Sequence, residues 1–66
     1  MKKINNSDFV IVSLHNNGCG FIRMENDQYE CSRANAESMI LAARMNGYQD
    51  KGYIRHENGD VTYIFN

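Results

Sequence analysis

The chain has 66 residues and a mass of 7.6 kDa, room for one small domain with a marginal core, since a chain this short buries only about 60% of its extended surface. Hydrophobic residues make up 42%, charged residues 23%, and proline is absent; this is a globular composition, and no apolar run approaches the roughly 20 residues of a membrane span. A net charge of −1 and a pI near 6.0 leave no basic footprint for binding nucleic acid through charge alone, and so little chain can hardly enclose a pocket, which argues against an enzyme.

In chain order, residues 1–7 read as a flexible lead-in. Lys2 and Lys3 look like the start of a secretion signal, but the polar stretch from Asn5 to Asp8 stands where the apolar segment should be. The expectation is a cytoplasmic protein, with Cys19 and Cys31 as free thiols. Three apolar runs follow, Phe9 to Leu14, Phe21 to Met24 and Gln28 to Cys31, separated by Asn16-Asn17-Gly18 and Glu25-Asn26-Asp27. Asparagine and glycine tolerate the backbone of tight turns, so residues 9–31 are predicted to form an antiparallel meander.

A helix is predicted over residues 33–46. Ser32 suits the N-cap, Arg44 the last turn, and Gly47 the position just past the end. Ala36, Met39, Ile40 and Ala43 recur at helical spacing and make one apolar stripe, which must be buried for so short a helix to persist. Residues 52–65 then form a hairpin, Tyr53 to His56 and Val61 to Phe65, around Asn58-Gly59. No internal repeat or linker interrupts this order. The fold class is α+β, β-β-β-α-β-β, with one helix on one face of an antiparallel sheet of four to five strands.

Turn lengths then assign faces. A two-residue turn at Asn58-Gly59 opposes Ile54 to Tyr63 and His56 to Val61, leaving Tyr53, Arg55, Thr62 and Ile64 on the helix-free face. A turn at Asn26-Asp27 opposes Met24 to Tyr29, Ile22 to Cys31 and Arg23 to Glu30. Through Asn17-Gly18, the same rule turns Phe9, Ile11 and Ser13 to the helix and Val10, Val12, Leu14 and Phe21 outward. A turn one residue longer would flip the first strand and return Val10, Val12 and Leu14 to the core. The expected consequence of the first register is a largely apolar exposed face, the mark of a partner or a homodimer.

Residues capable of chemistry are present but not arranged by spacing. His15, Cys19, Cys31 and His56 carry zinc-binding atoms without a paired-ligand spacing. Neither cysteine is matched to a histidine by any pattern that selects a nucleophile. Glu25, Asp27 and Glu30 read as a solvated acidic turn, and Gly18-Cys19-Gly20 lacks the following helix that a phosphate cradle needs. The expectation is a non-enzymatic chain with no metal and no cofactor.

From Tyr29 to Phe65 a strand ends in Ser32, a helix follows with Ala36, Ile40 and Ala43 on its inner face, and Gly47 leads into a strand through Ile54. This pattern resembles small phage-encoded inhibitors, namely small type I anti-CRISPR proteins and the short coliphage inhibitor of bacterial RNA polymerase. No binding motif comes with the likeness. It implies a mode of action, a rigid plug that blocks a surface on a larger host complex. The expected contacts are Tyr53, Arg55, Arg23, Phe21 and Val12 on the outer face, with Tyr48 and Lys51 in the adjoining loop, because aromatic and arginine side chains dominate interfaces. The alternatives are a nucleic-acid binder using the same face, with Lys2, Lys3 and Lys51 on phosphates, and a homodimer. A membrane partner is not expected.

Overall fold

The computed structural model describes residues 9–24 and 27–66; the predicted lead-in and most of the acidic turn, Glu25 included, lie outside them. The elements are β1 (Val10–Leu14), β2 (Cys19–Met24), β3 (Asp27–Ser32), α1 (Arg33–Met45), β4 (Asp50–Arg55) and β5 (Val61–Phe65). They form one five-stranded sheet in the order β3-β2-β1-β5-β4, antiparallel throughout. This is the α+β fold expected from the sequence. β1 lies at the centre, since β5 returns beside it after the helix.

The helix begins and ends on the residues that mark it in the sequence. The Ser32 hydroxyl accepts the Asn35 N–H at 3.2 Å, satisfying one of the free donors of the first turn. At the other end the Tyr48 N–H donates to the Ala43 carbonyl at 3.1 Å and the Gly47 N–H to the Arg44 carbonyl at 3.2 Å. That pairing is a Schellman cap, and Gly47 supplies the left-handed residue it needs with φ 89°. Between the caps Ala36, Ile40 and Ala43 are buried. They meet Val10, Val12, Leu14, Ile22 and Phe65 in one core.

The helix packs chiefly on β1 and β2, with lighter contact to β3. Its seat is set by Gly20, where an added Cβ would lie 2.5 Å from the Cβ of Ala36. A bare backbone in β2 and the smallest helix-forming side chain in α1 let the two elements approach at this point.

Two registers differ from those expected by one residue, for one reason. In β1–β2 the partners are Val10 with Met24, Val12 with Ile22 and Leu14 with Gly20, so Val10, Val12 and Leu14 face the helix and Ile11 and Ser13 face away. In β4–β5 Tyr53 pairs with Tyr63, Ile54 with Thr62 and Arg55 with Val61. Tyr53 and Arg55 therefore lie on the helix side and Ile54 on the outer side, the reverse of the expectation. A two-residue Asn-Gly turn needs positive φ at both of its residues, yet among the described residues only glycines adopt it, Gly18 at 91° and Gly59 at 94° in these turns. Each loop therefore takes one more residue before the glycine. Both close alike: the His15 N–H donates to the Cys19 carbonyl and the His56 N–H to the Asp60 carbonyl, at 2.9 and 2.8 Å. One added residue flips the strand beyond it.

The third hairpin is shifted by two residues, which preserves faces. Ile22 opposes Tyr29, Gly20 opposes Cys31 and Phe21 opposes Glu30. Arg23 lies across from Gln28 rather than from Glu30 as expected. Because Cys19 opposes Ser32 and Cys31 opposes Gly20, the two free cysteines point to opposite faces of the sheet.

Candidate functional site

At one end of the sheet the two glycine-ended turns lie side by side, and Asp60 joins them. Its Oδ2 accepts a hydrogen bond from His15 Nδ1 at 2.8 Å, and its Oδ1 accepts the Asn16 N–H at 3.0 Å. Asn58 Nδ2 donates to Oδ2 at 3.2 Å, and Asn16 Nδ2 donates to the Asn58 carbonyl. The His15 hydrogen bond, then that from Asn16, holds the Asp60 carboxyl below its ordinary value of 3.8. Beside it Ser13 Oγ lies 3.2 Å from Thr62 Oγ1, which lies 2.8 Å from His56 Nε2. Ser13, His15, His56, Glu57, Asn58, Asp60 and Thr62 rim an open depression of about 410 Å³.

The residue types are those of an acyl-transfer site, but the wiring differs. Nucleophilic catalysis needs one chain of contacts from nucleophile to base to orienting acid. Among the described residues the histidine with an acid, His15, has no hydroxyl partner, and the histidine with a hydroxyl, His56, has no acid. Nor do three His, Cys, Asp or Glu side chains converge on a metal-sized point among the described residues. What this arrangement does is clasp β1–β2 to β4–β5 across the turn ends.

The clasp gives a pH dependence. Asp50 is also held below 3.8, by the Gly52 N–H at 2.8 Å and then by Arg44. A carboxyl whose folded-state value is depressed stabilises the fold above its unfolded value, and loses that contribution as the pH falls through the folded one. The thermal midpoint is therefore expected to hold level above pH 3.8 and to fall with acid below it. Asp50→Asn with Asp60→Asn should lower the neutral-pH midpoint and flatten the acid limb; an unchanged limb in this double variant would assign acid sensitivity to other carboxylates.

The second candidate surface lies on the helix side of the β4 edge, beyond Phe65, the β5 residue buried with α1 in the core. Every residue of β4 is exposed, Tyr53 by 56% and Ile54 by 51%. The Tyr53 and Tyr63 rings stand 5.5 Å apart, and the Arg55 guanidinium sits 5.9 Å from the Tyr53 centroid. These contacts hold two aromatic side chains and a cation in one ladder. On the near flank of the helix, Arg44 lies over the Phe65 ring at 5.8 Å and pairs with Asp50 at 3.0 Å. Leu41 is 60% exposed. A bulge between Asp50 and Tyr53, with Gly52 at φ 100°, keeps Asp50 beside Arg44 and Tyr53 beside Tyr63 on one face.

The predicted contact residues thus divide. Tyr53 and Arg55 come together on the helix side. Phe21, half-buried, and Arg23, exposed, sit on the outer face. Val12 is fully buried beneath the helix and cannot be a contact, because the three-residue turn places it inward. Tyr48 packs against the core, and Lys51, expected in a loop, lies in β4, which starts at Asp50 because the bulge at Gly52 extends the pairing; it is exposed with its Nζ on Gln49 Oε1 at 3.2 Å. Neither Tyr63 nor the His15–Asp60 clasp is singled out by sequence spacing. The clasp has a signal in the shared pattern His-x-Asn-Gly of His15 to Gly18 and His56 to Gly59, too short to register as a repeat of whole elements.

No family model matches the sequence, and no curated protein or solved structure is significantly similar to it. Among the described residues no helix is long and apolar enough to cross a membrane.

Proposed function

We propose that this chain is a non-enzymatic protein-binding module that works through the β4–β5 arm. The observation that carries the reading is β4 itself: it is exposed along its whole length, yet it presents Tyr53 and Ile54 on opposite faces with Arg55 stacked on the tyrosine. A small domain that leaves a tyrosine and an arginine pre-ordered by neighbours holds groups of the kind that dominate interfaces, at little entropic cost on binding. The inhibitor-like pattern of the sequence supplies the mode of action in this proposal, occlusion of a surface on a larger host complex, phage or prophage origin included.

The test is capture by tagged protein from cell lysate, treated with nuclease, comparing wild type with two double variants. Tyr53→Ala with Arg55→Ala is expected to abolish capture of any stoichiometric partner. Its thermal midpoint should stay within a few degrees, since exposed positions contribute little to stability. Phe21→Ala with Arg23→Ala, on the outer face, should retain capture. The reverse pattern would place the binding surface on the outer face, and captures that vanish with nuclease would make the chain a nucleic-acid binder.

A further inference from the structure

Three asparagines precede glycine: Asn17, Asn46 and Asn58. All three are exposed, so exposure does not separate them. In an Asn-Gly pair the glycine nitrogen, once it loses its proton to solvent base, can attack the side-chain carbonyl carbon, unhindered by a following Cβ. A C–N bond forms, ammonia leaves with Nδ2, and a succinimide results. Water then opens either of its carbonyls, giving aspartate or isoaspartate. The net change is amide and water to acid and ammonia, with no redox partner.

The structure ranks the three. In every case the attacking nitrogen is tied: Gly18 N–H to the His15 carbonyl at 3.3 Å, Gly47 N–H to Arg44 at 3.2 Å, Gly59 N–H to His56 at 3.1 Å. The tie on Gly18 is the longest. The side chains differ more. Asn46 Nδ2 donates to the Ala42 carbonyl at 2.7 Å. Asn58 is held at both ends, Oδ1 by the Asp60 N–H at 3.0 Å and Nδ2 by the Asp60 carboxylate at 3.2 Å. Asn17 keeps only the equivalent of the first contact, the Cys19 N–H on Oδ1 at 3.1 Å, and its Nδ2 has no partner among the described residues. The turns at Asn17 and Asn58 share length, closing bonds and a left-handed glycine, so the clasp on Asn58 is their main difference.

We propose that Asn17 is a site of spontaneous deamidation, the first of the three Asn-Gly pairs to convert, because its carboxamide lacks the clasp that holds Asn58 and the helix-end bond that holds Asn46. Conversion puts a carboxylate into the β1–β2 turn, and isoaspartate adds a backbone carbon to the loop that decides which face of β1 meets the helix.

The experiment is incubation of the folded full chain in warm neutral buffer, with peptide mass spectrometry and isoaspartate quantification at each site over time. The expected result is a several-fold lead of residue 17 over residues 46 and 58. In denaturant the three rates should converge, since the ranking comes from the fold. Asp60→Ala, which removes the carboxylate on Asn58 Nδ2, should bring residue 58 up toward the rate of residue 17. Conversion of residue 46 or 58 first, equal rates in the folded chain, or a ranking that survives denaturant would each overturn the proposal. If Asp60→Ala does not fold, the comparison of folded and denatured wild type still decides.

Discussion

Gly20→Ala is expected to lower the thermal midpoint by roughly 5–20 °C. The added methyl would sit 2.5 Å from Ala36 Cβ, and its other near neighbours are backbone oxygens of Ser13 and Ser32 at 3.1 and 3.2 Å. None of these is the end of a flexible side chain, so the helix itself must move off the sheet. Overfilling a packed interior costs about 1–3 kcal/mol, and each kcal/mol moves the midpoint of a domain this size by about 4–8 °C. Because a core this small rarely supplies more than about 3–5 kcal/mol in total, the upper end of that cost leaves a large unfolded fraction at room temperature. Ala36→Gly alone loses about 1 kcal/mol through helix propensity. Combined with Gly20→Ala it reopens the space, so the double variant should be more stable than the sum of the singles predicts. Strict additivity, measured by urea unfolding of all four proteins, would show that the methyl groups do not meet and that the helix is seated elsewhere.

What is legible in the sequence follows from how local each signal is. The helix is legible to within a residue because its signals are local: Ser32 caps one end, Gly47 the other, and Ala36, Ile40 and Ala43 repeat at the helical period. The existence and order of the strands are legible from turn residues for the same reason, although β4 starts at Asp50, ahead of the expected Tyr53, because a bulge carries the pairing past Gly52. Faces are not, because a face depends on the parity of the turn. Asn-Gly marks both a two-residue and a three-residue loop, and Gly18 and Gly59 adopt positive φ in either case. The deciding fact, that Asn17 and Asn58 do not, leaves no trace in residue identity. Both strands whose parity the turn rule reverses, β1 and β4, carry apolar side chains on both faces, so alternation could not correct the error. The β1 register also removes part of the predicted outer apolar face, since Val10, Val12 and Leu14 lie in the core. What is left of the predicted surface is divided by the sheet, with Tyr53 and Arg55 on one side and Phe21 and Arg23 on the other.

Phe65→Ala should leave the chain largely unfolded in buffer, whereas Ile64→Ala should leave it folded. The two residues are neighbours in β5 and face opposite ways. Phe65 is fully buried, directly across from Val10 on β1 and from Asp50 on β4, with the Arg44 guanidinium over its ring. Ile64 opposes Ile11 on the helix-free face and is only half-buried. Truncating a buried phenylalanine to alanine costs about 3–5 kcal/mol through lost transfer energy and the cavity left behind, which equals the whole stability expected of so small a core. The cavity would open where β1, β5 and the C-terminal half of the helix meet. Ile64 borders solvent, so its truncation forfeits less burial and leaves no enclosed void. Far-UV circular dichroism and urea titration of the two variants separate these outcomes. A larger loss for Ile64→Ala than for Phe65→Ala would mean that β5 presents its other face to the helix. Since β5 pairs with both β1 and β4, that single result would shift Tyr53 and Arg55 back to the outer face and move the binding surface with them.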